Sequence, residues 1–169
     1  MSRLTVGSLE GLSENSNVIS VPTGHTLNAV DGLQIGGVAL GTPTSYTPSH
    51  NNITVGNGTE IARYVKIGKL VLVSYKLTWG STTSFSNYPN VGLPFTANAV
   101  AFGSGMMTDT GSSNYQMLVV IDAGLNSVSI RGHNISGTYA RADSFTNATT
   151  PFTWTTGDIL QFSLVYEAQ

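Results

Sequence analysis

The stretch ARYVKIGKLVLVSYKLTW, residues 62–79, decides the fold. Val71, Val73, Tyr75, Leu77 and Trp79 recur at every second position, so an extended strand aims all five side chains at one layer, whereas a helix would scatter them. The preceding run, Arg63-Tyr64-Val65-Lys66-Ile67, alternates too. Gly68-Lys69 separates the two runs by the two residues a tight hairpin uses, and glycine reaches positive φ without a steric penalty. An antiparallel hairpin is therefore predicted, with Val71 to Trp79 on its inner face. Its outer face begins with Leu70 and Leu72 and continues with Ser74, Lys76 and Thr78, which marks it as a contact for a second sheet or a neighbouring subunit.

Downstream the same period returns. Asp158 to Ala168 sets Leu160, Phe162, Leu164 and Tyr166 on one face against Gln161, Ser163 and Glu167 on the other, so the C-terminal segment is a core strand. Tyr115 to Ile121 is apolar on both faces, as a central strand covered on both sides or one buried between subunits would be. Asp122-Ala123-Gly124 turns it into Leu125 to Arg131, giving a second hairpin, and Val100 to Met107 reads as a strand interrupted at Gly103 and Gly105. Ser81 to Asn90 and Gly132 to Gly157 read as loops. Pro94 places VGLPF, residues 91–95, at an edge or a strand end. Ile53 to Val55 is a short strand followed by a turn at Asn57-Gly58. About six to eight antiparallel strands and no helix long enough to cover a sheet predict an all-β, jelly-roll-like sandwich over residues 51–169.

Residues 1–50 differ. Their apolar residues are broken by Gly7, Gly11 and Gly24 and keep no helical spacing, so this region is predicted to be an extended arm with short strands at 17–21, 26–29, 33–35 and 38–40. Pieces that short do not hold together alone. They would lie on a neighbouring surface, intertwine with other copies, or wrap their own domain. Pro43, Pro48 and the surrounding Ser, Thr and Asn mark the boundary at 41–52.

Composition excludes several functions. Only 9% of the residues are charged, against about a quarter in an ordinary soluble chain, so little repulsion opposes self-association. The seven Lys and Arg are scattered, which argues against nucleic acid as a partner. Cysteine is absent, removing disulfides and thiolate chemistry. No stretch reaches the roughly eighteen apolar residues that cross a bilayer, and the N-terminal residues lack the apolar core of a signal peptide, so membrane insertion is not expected.

Candidate catalytic residues form no constellation. His25, His50 and His133 lack metal-ligand spacing. Asp109, Asp122, Asp143 and Asp158 neighbour Gly, Ser or Thr, where aspartate usually accepts backbone hydrogens in a turn. The glycines form no nucleotide loop. We therefore expect no enzyme, no cofactor and no metal. Tyr88, Tyr115, Tyr139 and Phe145 lie in or beside loops, where a sugar ring can stack, and Trp79 and Trp154 are expected to plug the ends of the core.

GNGTEIARYVKIGKLVLVSYKLTWGSTTSF (56–85), VGLPF (91–95) and TTGDILQFSLVYEA (155–168) together resemble the β domain at the ends of bacteriophage virion proteins, and residues 17–37 resemble the fibre-like segments that precede such domains. The resemblance implies a homotrimeric structural protein of the virion, assembled in the host cytoplasm, with no catalytic residues. The short arm favours a capsid decoration or cement protein, held to the major capsid protein by Leu4, Val6, Leu9, Leu12, Val18 and Ile19. The alternative is a short tail fibre, bound to the tail hub, that recognises a host cell-surface glycan.

Overall fold

The computed structural model describes residues 41–134, 138–139 and 141–169, together with Thr23 and the backbone of residues 34, 35, 38 and 39; for 143–145 it describes the backbone alone. The chain divides into two compact units, Met1–Ala39 and Leu40–Gln169. In the first, β1 (Gln34–Ile35) pairs antiparallel with β2 (Val38–Ala39). The expected strands at 17–21 and 26–29 and the anchor residues Leu4 to Ile19 lie outside the described residues.

The second unit is all-β, and every strand pair in it is antiparallel. Its strands are β3 (Thr44–Ser45), β4 (His50–Thr54), β5 (Thr59–Ile67), β6 (Leu70–Thr78), β7 (Ser84–Gly92), β8 (Ala101–Asp109), β9 (Ser113–Ile121), β10 (Ser127–Asn134), β11 (Arg141–Phe145) and β12 (Ile159–Glu167). They form one sheet in the order β3-β5-β6-β12-β8-β9-β10-β7-β4, with β11 also paired to β10. The sheet curls over its own inner face, so that Tyr46 beside β3 donates a hydrogen bond to the Gly92 carbonyl at the end of β7, 3.2 Å away. Since β3 and β4 already belong to this sheet, the second unit begins earlier than the compositional change at 41–52 suggests.

The hairpin at 62–79 is present. β5 and β6 pair from Thr59↔Thr78 to Ile67↔Leu70, and Gly68 turns the chain with φ of 60° while Lys69 keeps a negative φ, as a type II′ turn requires. Val71, Val73, Tyr75, Leu77 and Trp79 are all buried. The C-terminal strand buries Leu160, Phe162, Leu164 and Tyr166 beside them, because β12 lies between β6 and β8. Fully burying one such aliphatic or aromatic side chain contributes about 1.5–3 kcal/mol, so these two alternating rows supply much of the folding free energy. β9 is central, between β8 and β10, and its outward Val120 is covered as well as its inward Met117, Val119 and Ile121.

Four local expectations are corrected. Ser81 to Asn90 is not a loop throughout: β7 occupies Ser84–Gly92, with Phe85, Pro89 and Val91 buried. Its alternation is obscured by an irregular register against β4, where Asn52 and Tyr88 take φ of 61° and 58° and Asn52 Nδ2 donates to the Asn87 carbonyl at 2.7 Å. The stretch after Gly132 holds the end of β10 and the short β11. The turn expected at Asn57-Gly58 falls at Gly56-Asn57, with the positive φ on Gly56. Asn57 is held instead by the neighbouring turn, accepting from Thr82 N at 2.9 Å and donating to Ser81 Oγ at 3.0 Å.

Gly103 and Gly105 do not interrupt β8, which runs unbroken against β9 and β12. A Cβ on Gly105 would fall onto the backbone oxygen of Gln161 and lie 2.7 Å from Phe162 Cβ, so the strand passes β12 only because the side chain is missing. Gly68 has open space and needs only its positive φ. Gly105→Ala should therefore lose about 3 kcal/mol by overpacking. Gly68→Asn should lose only about 1 kcal/mol, from backbone strain at a φ that L side chains rarely adopt and with no steric clash. Urea denaturation midpoints of the two variants check the contrast; equal losses would contradict it.

Candidate functional site

The outer face of the curled sheet carries a groove of about 660 Å³. Its floor follows from register. Ser163 on β12 lies opposite Ser74 on β6 and opposite Ser104 on β8, so three exposed serines stand in one row across three adjacent strands. Neighbouring strands are about 4.8 Å apart, which spreads the three hydroxyls over about 10 Å. Being small, they leave a trough between taller rows on either side.

One wall is the next row, two residues along each strand. Lys76, Gln161, Met106 and Gln116 lie in register there across β6, β12, β8 and β9, and Ile61 and His133 close the two ends. Lys76, Gln116, Gln161, His133 and the three serines make no side-chain hydrogen bond or ion pair among the described residues. Their donors and acceptors therefore face the groove unspent. None of the described residues lining it is Asp or Glu. Arg63 stands opposite Ser74 on β5, adding a second cation at the end of the serine row.

On the far side of the serine row the outer face is apolar. Val65, Leu72 and Val165 share a row, Ile67 and Leu70 share the next, and Phe102 lies on β8 two residues from Ser104. Leu70 is 55% exposed, Phe102 63% and Val165 49%. A strip of large apolar side chains crossing β5, β6, β12 and β8 is thus open to solvent, which on a soluble domain usually marks a contact with another macromolecule. The outer face of the hairpin is divided as its sequence implies, apolar at Leu70 and Leu72 and polar from Ser74 onward.

Of the residues named as sugar-stacking candidates, Tyr88, Tyr115 and Tyr139 do not line the groove. Tyr88 and Tyr139 are exposed on β7 and on the segment after β10, and the Phe145 side chain lies outside the described residues. Tyr115 is turned into an aromatic cluster, stacked on Phe152 with centroids 5.2 Å apart. Phe152 packs on Trp154, and Trp154 stacks on Trp79 at 4.1 Å, so both tryptophans close one end of the core. Asp158 is a buried turn aspartate, accepting from Thr110 N at 3.0 Å and Thr155 N at 2.6 Å. His25 lies outside the described residues, and no group of His, Asp and Glu among the described residues could hold a metal ion.

A second polar cluster closes the curl. Glu60 Oε1 lies 2.6 Å from His50 Nε2 and accepts from the Tyr75 hydroxyl at 2.8 Å, joining β4 to β5 and β6. No alternation in the sequence points to this meeting, because His50 and Glu60 lie on strands that do not pair. Burial pushes the Tyr75 hydroxyl far above its ordinary range, with the Glu60 charge adding to the effect, and burial does the same to Tyr46. Tyr166, which donates to the Phe95 carbonyl at 2.9 Å, is pushed up to about 12 by burial.

Compared with known proteins, the chain matches no family model, no curated sequence and no solved structure.

The tyrosines give a pH signature. A folded-state value above the unfolded 10.0 means that the unfolded chain releases its proton first, so the stabilisation is complete below pH 10.0 and is lost as pH rises through about 12 at Tyr166. Melting temperature should hold steady to about pH 10 and fall beyond it. Tyr166→Phe should make the decline shallower. Thermal melts followed by circular dichroism check this, and an unchanged slope would remove Tyr166 from the account.

Proposed function

We propose that this chain is a structural protein of a bacteriophage virion: a homotrimeric, non-catalytic capsid decoration protein that attaches to the major capsid protein through its N-terminal segment. The observation that carries this reading is the apolar strip on the outer sheet face, formed by Ile67, Leu70, Leu72, Val165 and Phe102. A monomer free in solution gains nothing from displaying such a strip, whereas a protein packed on a shell or against its own copies buries it. The low charge of the chain supports the same reading, since few ionic groups would have to be desolvated at a contact. The resemblance of residues 17–37 and 56–85 to phage virion proteins supplies the particle.

Attachment then rests on apolar burial by Leu4, Val6, Leu9, Leu12, Val18 and Ile19, multiplied by three copies acting together. Deleting residues 2–20 should abolish co-sedimentation with purified particles while leaving the circular dichroism of the β domain unchanged. Normal decoration by the truncated protein would refute the anchor. Replacing both Leu72 and Val165 with Lys should weaken association with particles or between copies at least about tenfold, corresponding to about 1.4 kcal/mol. Light scattering and particle binding report the two contacts separately. Copy number per particle separates head from tail: hundreds place the protein on the shell, and a dozen or so on a tail fibre.

A further inference from the structure

We infer that the serine-floored groove on the outer face is a binding site for an acidic saccharide, a chain of sugar units carrying carboxylates. The inference goes beyond placement on a particle and rests on the groove alone.

The chemistry of the lining selects the ligand. Ser74, Ser163 and Ser104 present hydroxyls at the regular spacing of adjacent strands, matching a ligand with hydroxyls along its length. Gln161 and Gln116 add amides that donate and accept at once, the pattern that vicinal hydroxyls satisfy. Met106 and Ile61 offer apolar surface to the C–H face of a sugar ring. These polar groups make no hydrogen bonds with one another or with the rest of the described chain, so a ligand need not break internal contacts to engage them.

Charge then chooses among sugars. The chain carries a formal net charge of −2, yet Lys76 stands in the groove wall, Arg63 at the end of its floor, and no described lining residue is acidic. A neutral sugar would leave both cations unused. A carboxylate on the sugar accepts from Lys76 in a charge-assisted hydrogen bond, while the neighbouring hydroxyls meet the serine row. The groove is open and shallow, which suits an extended chain lying across the strands rather than a small molecule enclosed on all sides.

The test uses the full chain and isothermal titration with tetragalacturonate, with maltotetraose as the neutral control and inorganic phosphate as the non-saccharide anion. Binding of tetragalacturonate at least tenfold tighter than either control is expected. Lys76→Gln and Gln161→Ala should each weaken it at least fivefold, with unchanged melting temperature because both side chains lie on the outer face. Ser163→Val, which fills the trough, should weaken it as well. No binding of tetragalacturonate at millimolar concentration, equal binding of maltotetraose or of phosphate, or full affinity in Lys76→Gln would each overturn the inference.

Discussion

β12 is hydrogen-bonded along both of its edges, to β6 on one side and to β8 on the other, and the two parts of the sheet meet through it. One part is the hairpin β5-β6 with β3; the other is the run β8-β9-β10-β7-β4. The strand that unites them is far in sequence from both β6 and β8, so its pairings close over long stretches of chain and carry a large loop-closure entropy. Its burial must offset that entropy. Leu160, Phe162, Leu164 and Tyr166 do so from one face, and Tyr166 also reaches past the strand to the backbone of Phe95.

The same insertion shapes the outer surface. Once β12 is seated in register, every outward residue of β6, β12 and β8 falls into a row with its neighbours, and the row that passes through Ser163 contains only serines on those strands. Gly103 and Gly105 belong to the opposite face of β8, where they let β12 approach closely. The groove and the tight packing beneath it are two sides of one strand pairing. Apolar residues flank the serine row toward Val165, and amides and a lysine flank it toward Gln161, so one surface presents a dry strip and a wet trough side by side.

Two clusters hold the curl at places where no ladder does. The rings of Trp79, Phe85, Trp154, Phe152 and Tyr115 fill one end by stacked and edge contacts. Elsewhere Glu60 gathers His50 and Tyr75, so that the edge strand β4 is tied to strands it never pairs with. A carboxylate in this partly enclosed position is tolerable because both neighbours hydrogen-bond to it.

By itself the sequence determined which side of each regular strand faces inward. A two-residue period is a local property, and it placed Val71 to Trp79 and Leu160 to Tyr166 in the core and divided the hairpin's outer face, while neighbouring glycines and threonines marked the turn at Gly68-Lys69 and the turn role of Asp158. It did not reveal β7, because the left-handed residues Asn52 and Tyr88 and the shifted register break the alternation that would have marked it. Nor did it reveal the groove: Ser74, Ser104 and Ser163 are far apart in the chain and unremarkable singly, whereas the aromatic residues that stand out in the sequence lie in or beside loops. Only the tertiary structure decided which strands are neighbours and in what register. Any two alternating strands can pair in principle, so the choice belongs to long-range packing, and both the serine row and the apolar strip come into being with that choice.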